Sequence, residues 1–267
     1  MLFKLNYKYQ ETDNRDYKYS NKNLSMNKNF YELKINKIYD QSQLGSCVSN
    51  GVATCIDYIN SNINPSRLYI YFNGRLISKL SSLEDTGLTI RDGCKSVAKY
   101  STCSEIEWPY NINEFSTIPN LNCYLNSYKY INYRYESVDQ DINSVKTTLL
   151  NNHPILFGFD VFTSFFDNDV TTTGIAKLPN LNNDRLLGAH CCIIIGFNDE
   201  NQMFKCVNSW GNNWGDNGFF YIPYSYLLNP NLAGDFWTIN FTIEQPPIQT
   251  QKINKKILKK IYIRKKK

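Results

Sequence analysis

The spacing of apolar residues changes character along this chain, and that change limits what it can fold into. Val48 to Ile59 carries apolar residues at 48, 52, 55, 56 and 59, the spacing of one helical face. Ser66–Leu80 and Thr89–Tyr100 repeat that spacing, the second with Ile90, Cys94, Val97 and Ala98 on one face. Trp108-Pro109-Tyr110 closes this helical half. Later come the short apolar or alternating runs Pro154–Val161, Cys191–Phe197, Phe204–Asn208, Phe219–Ile222 and Trp237–Ile243, bounded by Asn, Gly, Asp or Pro. Helices first and strands after predict an α+β protein of two lobes. The boundaries read as a polar extension over 1–27, a mainly helical lobe over 28–130, a β-rich lobe over 131–243 and a basic tail over 244–267.

Charge says little about partners once its location is seen. Nine Lys or Arg and no acid lie within residues 252–267, more than the whole net charge of +5. The body is therefore mildly acidic, which argues against a nucleic-acid-binding enzyme. Ile253, Ile257, Leu258 and Ile261 recur at helical spacing between the tail lysines. Such a tail suits an anionic surface or a partner groove, against the plainer reading of a solvated, disordered tail. Eight cysteines would suit a disulfide scaffold, but the opening residues hold no apolar run long enough for a signal peptide, and no segment is long enough to span a membrane. The expectation is a chain made in a reducing compartment or packaged in a particle, with most thiols free.

Two blocks carry the chemistry. The first is Asp40-Gln41-Ser42-Gln43-Leu44-Gly45-Ser46-Cys47-Val48-Ser49-Asn50, which sets a thiol at the start of a helix. Unpaired N–H groups there favour a thiolate, and Gln41 is a donor within reach of an oxyanion. The second begins Gly188-Ala189-His190-Cys191-Cys192 and continues through Val207-Asn208-Ser209-Trp210-Gly211-Asn212-Asn213-Trp214-Gly215. It places an imidazole at the head of an apolar strand and an amide and two indoles at the end of another. An isolated Cys after Gly-Ser is usually a small buried residue, and an isolated His before a strand is usually structural. This chain has only two histidines, however, and one of them completes a Cys…His…Asn order.

At these residues the chain resembles the papain family of cysteine peptidases over roughly 36–240. The resemblance implies a two-lobe fold, a helical lobe facing an antiparallel β-barrel-like lobe across a cleft. It implies Cys47 as nucleophile, His190 as base and acid, and Asn208 as the residue that orients the imidazole. Gln41, with the Cys47 N–H, would hold the oxyanion. Trp210 would shield the Asn–His bond and Trp214 line the leaving-group side. Gly87 would offer backbone bonds to substrate, and Cys191 would border the main side-chain pocket or be a buried strand thiol. The expected reaction is hydrolysis of a polypeptide through a covalent acyl-enzyme, by default as an endopeptidase, with no metal or organic cofactor.

Several features depart from the family pattern. Leu44 replaces the usual disulfide cysteine, and Glu84-Asp85-Thr86-Gly87-Leu88 lacks its partner, which fits a reducing setting. Val48 replaces the usual aromatic residue. The remaining cysteines (55, 94, 103, 123, 192 and 206) could include a disulfide that spacing alone cannot pair. The residues ahead of Cys47 are too few for a long inhibitory propeptide, so either the enzyme is made active or 1–27 is a short regulatory arm. His153, before Pro154, reads as structural and leaves no histidine pair to clamp a substrate carboxylate. Two rivals stand beside the peptidase reading: a related Cys-dependent amidase or acyl transferase, and a catalytically silent peptide-binding groove.

Overall fold

A computed structural model describes residues 3–20, 28–127 and 133–241. The basic tail and the end of the 237–243 run therefore lie outside the described residues. The three expected helices are present as α1 (Cys47–Ile59), α2 (Arg67–Ile77) and α3 (Ile90–Tyr100). Each begins where a short polar residue stops the chain. The Ser66 hydroxyl accepts from Tyr69 N–H at the head of α2, and the Thr89 hydroxyl accepts from Asp92 N–H at the head of α3. A fourth helix, α4 (Leu121–Ser127), follows the Trp-Pro-Tyr stop.

α1 is the central helix, with every residue from Cys47 to Ile56 buried. Its first turn packs on α3 at Gly93, where an added Cβ would lie 2.5 Å from Val48 Cγ1. The small residue after the nucleophile candidate thus matches a glycine on the facing helix. No such sealed packing is needed at the outer turns, where polar residues return.

The strands are β1 (Phe30–Glu32), β2 (Tyr133–Ser137), β3 (Ile155–Phe162), β4 (Leu186–Asn198), β5 (Met203–Val207), β6 (Phe219–Pro223) and β7 (Ala233–Phe241). They form one sheet in the order β2-β7-β3-β4-β5-β6, with β1 paired to β4. All these pairings are antiparallel. The path is open, so the barrel-like expectation is corrected: among the described strands β2 and β6 end the sheet without pairing to each other. Three short helices interrupt the strands, α5 (Ile142–Leu150), α6 (Asn168–Thr173) and α7 (Tyr224–Leu227). No helix among the described residues is long and apolar enough to cross a membrane.

β4 runs longer than its apolar stretch because Leu186–Ala189 pair with β3 although they are partly exposed. From His190 to Phe197 the strand is buried, which explains an apolar run without alternation. His190 lies opposite Phe159, and Cys191 lies opposite Gly158. All eight cysteines are free thiols.

Two buried arginines hold the loops that flank α1. Arg67 donates to the Asp40 carbonyl (2.9 Å) and to Asn50 Oδ1 (3.1 Å), pairs with Glu105, and lies over the Tyr110 ring at 3.8 Å. Among the described residues Arg75 makes no salt bridge. Its guanidinium donates instead to the carbonyls of Ser82 (2.9 Å), Glu84 (2.8 Å) and Phe115, fixing the loop that leads to Gly87. Replacing it leaves those carbonyls unpaired in the interior. Arg75→Met should therefore cost about 3–5 kcal/mol of unfolding free energy. Lys95→Ala, which loses only a half-exposed 4.0 Å pair with Asp92, should stay within about 0.5 kcal/mol. Urea unfolding of both variants checks the contrast.

Candidate active site

Cys47 is the first residue of α1, and Ser46 stands at its N-cap without capping. The Ser46 hydroxyl is drawn away to Tyr110 (2.5 Å), whose own hydroxyl donates to the Gln41 carbonyl (2.8 Å). The Ser46 side chain therefore leaves the N-terminal N–H groups of α1 uncapped. The Cys47 sulfur instead faces backbone N–H groups of Cys191, Val48 and Cys47 itself, each of which favours the thiolate. Its contact with the Cys191 N–H brings the thiol to β4, one residue past His190.

The histidine tautomer follows from its partner. His190 Nε2 is 2.9 Å from Asn208 Oδ1. That oxygen also accepts from Ser209 N–H (2.8 Å) and the Cys192 thiol (3.7 Å), so the amide cannot be turned round. An oxygen only accepts, hence Nε2 carries the hydrogen. Nδ1 is then the basic nitrogen, and it is buried without a hydrogen-bond partner among the described residues. Trp210 lies on the imidazole with ring centroids 4.7 Å apart, covering the side that water would approach.

Gln41 is brought in by backbone pairing between the two halves of the chain. Gln41 N–H donates to the Ser209 carbonyl (2.8 Å) and Gly211 N–H to the Tyr39 carbonyl (3.1 Å). The Ser209 hydroxyl donates to Gln41 Oε1 (2.7 Å), which turns the amide nitrogen outward. One of its hydrogens bonds the Leu44 carbonyl at 2.9 Å, and the other meets the carbonyl of Lys4 at 3.1 Å.

That last contact shows what fills the cleft. The chain's own N-terminal segment runs through it. The Phe3 ring stacks on Trp210 (centroids 4.4 Å, planes 5° apart) and Lys4 Nζ pairs with Asp85 at 2.5 Å. Tyr7 N–H donates to the Ala189 carbonyl (3.1 Å) and Lys8 N–H to the Leu88 carbonyl (3.2 Å). At Gly87, where φ is +70°, an added Cβ would sit 1.8 Å from the Asn6 carbonyl oxygen. Only glycine admits the segment there. The Gly87 N–H itself donates to the Tyr71 hydroxyl, so the Leu88 carbonyl supplies that wall's bond to the segment.

The other sequence-predicted residues divide. Cys191 is a buried strand thiol whose sulfur lies near Gly51 of α1. Trp214 is buried edge-on to Trp210 (5.0 Å) and stacked on Phe165 (5.5 Å). His153 sits at the turn between α5 and β3 under the Tyr19 ring, apart from this cluster. Sequence reasoning missed Ser209, Asp85 and the segment Phe3–Tyr9. The alternation of Phe3, Leu5 and Tyr7 is the signal that would have flagged the last as extended and one-faced.

With the segment in place the site is dry. Cys47, His190, Gln41 and Asn208 are each at most 1% exposed. Burial, only partly opposed by the facing N–H groups, pushes the Cys47 thiol up to about 12. Burial also lowers the His190 imidazole to about 4, against the Asn208 bond that raises it. Both groups are neutral across the physiological range. In NMR spectra of the full chain, the His190 ring signals should stay those of the neutral Nε2–H tautomer from about pH 5 to 8. A midpoint near the ordinary value would contradict a sealed site.

The structure thus sets a cysteine thiol at a helix start, an imidazole held by an amide and a glutamine facing a peptide carbonyl. The comparisons give the family. The model of the papain family cysteine protease matches residues 20–229, and the chain belongs to that family. An uncharacterised peptidase C1-like protein of Acanthamoeba polyphaga mimivirus is 38% identical over 214 residues, 75% of this chain and 68% of that protein. A cathepsin B-like cysteine proteinase of Haemonchus contortus matches more locally, 31% over 87 residues and 24% of its length. Among solved structures, xylellain, a cysteine protease from Xylella fastidiosa, superposes with a TM-score of 0.82 at 34% identity, covering 89% of this chain and 96% of that one. Trypanosoma congolense procathepsin B S9 shares the fold at TM-score 0.57 and 17% identity, over 79% of this chain and 73% of its own.

Proposed function

We propose that the chain is a cysteine-type endopeptidase using Cys47, His190 and Asn208, held closed by its own residues 3–9. The observation that carries this reading is the Lys4 carbonyl on Gln41 Nε2 (3.1 Å), a peptide carbonyl resting on the oxyanion donor. In a productive complex the proton passes from Cys47 Sγ to His190 Nδ1, and sulfur attacks the carbonyl carbon. The oxygen gains the negative charge and is held by Gln41 and the Cys47 N–H. His190 returns its proton to the leaving nitrogen as the C–N bond breaks. Water, deprotonated by His190, then releases the acyl group and restores the thiol.

The strap resists this chemistry because it runs backwards. Phe3 lies on Trp210, on the leaving-group side, while Asn6 and Tyr7 lie at Gly87 and Ala189, on the acyl side. A substrate enters with its N-terminal part on the acyl side, so the strap's next nitrogen after Lys4 faces away from the position where His190 delivers a proton. Strap and site also sit on one chain, so a free peptide competes against an effective concentration of about millimolar. Displacing the strap readmits water, which lets thiolate and imidazolium form as a pair.

The experiment is alkylation of the full chain by a thiolate-directed epoxysuccinyl peptide, with the modified residue mapped by mass spectrometry. Tyr7→Ala removes a buried anchor and should speed modification of Cys47 by about tenfold to a hundredfold. His190→Ala added to it should abolish that gain. Modification of Cys47 at the same slow rate in all three proteins would overturn the reading and favour a groove that binds peptide without chemistry.

A further inference from the structure

A second surface of the molecule carries charge that the peptidase reading leaves unused. A groove of about 910 Å³ lies where α2, α3 and β2 meet, lined by Ile77, Ala98 and Tyr135 and by Lys79, Lys95 and Lys99. Lys79 follows the end of α2 with φ of +57°, and its N–H bonds the Leu76 carbonyl (3.3 Å), which fixes it beside the helix end. Lys95 has only the 4.0 Å pair with Asp92, whose carboxylate also accepts from the Ser78 hydroxyl (2.7 Å). Lys99 Nζ lies over the Tyr100 ring at 5.0 Å. Among the described residues neither Lys79 nor Lys99 is paired with a carboxylate. Glu136, next to Tyr135 on β2, is taken by the Asn240 amide (2.6 Å). Three ammonium groups thus stand around an apolar lining, with Asp92 as the acid beside them.

β2 also marks where the basic tail departs. Tyr135 pairs with Ile239, and Tyr133 pairs with Phe241, the last residue of β7. Two residues of strand span about 7 Å, so the chain leaves the sheet close to the groove. Residues 252–267, which lie outside the described residues, bring nine Lys or Arg and no acid, and Glu244 is the single acid between Phe241 and Lys252. The tail is thus tethered beside the groove. Like charges held this close repel one another until an anionic partner gathers them.

The apolar residues decide which anion. Ile253, Ile257, Leu258 and Ile261 recur at helical spacing between the tail lysines. Leu83, in the loop after Lys79, is 76% exposed. A phosphate backbone needs only cations. A bilayer surface takes cations at its headgroups and apolar side chains just beneath them. We propose that the groove between α2, α3 and β2 forms, with the tail, one docking surface for an anionic phospholipid bilayer. It holds the chain on a membrane without spanning it, and it does not depend on the chemistry at Cys47.

The test is sedimentation of the full chain with phosphatidylcholine vesicles that contain or lack phosphatidylserine. The chain should partition onto the phosphatidylserine vesicles at least about tenfold more strongly. That preference should vanish at about 1 M salt, where the Debye length is about 3 Å. A cation beside an anionic bilayer contributes about fivefold. Lys79→Ser, Lys95→Ser and Lys99→Ser together, with the tail intact, should therefore weaken binding by about tenfold or more. Ile257→Ser with Leu258→Ser keeps every charge and should weaken it by about tenfold as well. A fluorescent single-stranded RNA supplies the rival partner. Equal binding to both kinds of vesicle, or binding unchanged by the three lysine substitutions, would overturn the inference. So would RNA binding tighter than vesicle binding at the same salt with the Ile257 and Leu258 substitutions without effect, a result that assigns the surface to nucleic acid.

Discussion

The site depends on one seam, the backbone pairing of Tyr39–Gln41 with Ser209–Gly211. Two hydrogen bonds, at 2.8 and 3.1 Å, join the approach to α1 to the loop after β5. Each contributes only about 1 kcal/mol net. Their importance is positional. The Ser209 hydroxyl fixes the Gln41 amide, and the adjoining Asn208 fixes the His190 ring. On the other side, Arg67 ties the Asp40 carbonyl to Asn50 inside α1, so the helix that carries Cys47 cannot slide away from the seam. The proposed nucleophile, base and oxyanion donor come from distant parts of the chain, and this one register brings their elements together.

The same geometry explains how the proposed pair would be kept inert. A thiol and an imidazole exchange a proton readily only where water or fixed dipoles support the charges. Here the strap excludes water, and the neutral forms of Cys47 and His190 are favoured together. The first two residues of the strap are gripped by groups that have other work. Trp210 covers the imidazole and also stacks on Phe3, and Asp85 bonds Gly45 N–H as well as Lys4. Removing the strap therefore alters the site's solvation without requiring the fold to change.

Much of this was legible in the sequence, because the chemistry is compressed into contiguous strings. Helices α1 to α3 were readable from spacing, and Ser66 and Thr89 sit at the expected starts. The start of β4 was not, since Leu186-Leu187-Gly188-Ala189 is broken by a glycine, lies partly exposed and is ordered by pairing with β3. α5 was missed for a different reason. Its Thr147 and Thr148 and its polar Asn143 and Ser144 have weak helix propensity, and the Asp141 cap with tertiary packing overrides it. The closed state was invisible for a third reason. The Tyr7 hydroxyl meets the Asp235 carboxylate 228 residues away, and no local pattern encodes that meeting.

Rapid mixing of the full chain and of its strap-loosened Tyr7→Ala form with an activated peptide ester, followed by acid quench and intact-mass measurement, tests the central claim most directly. The account predicts a mass gain equal to one acyl group, mapped to Cys47, accumulating quickly in the loosened protein and slowly in the full chain, and decaying to the starting mass as ester is hydrolysed. An acyl group on another residue, or none on Cys47 once the strap is loosened, would contradict it.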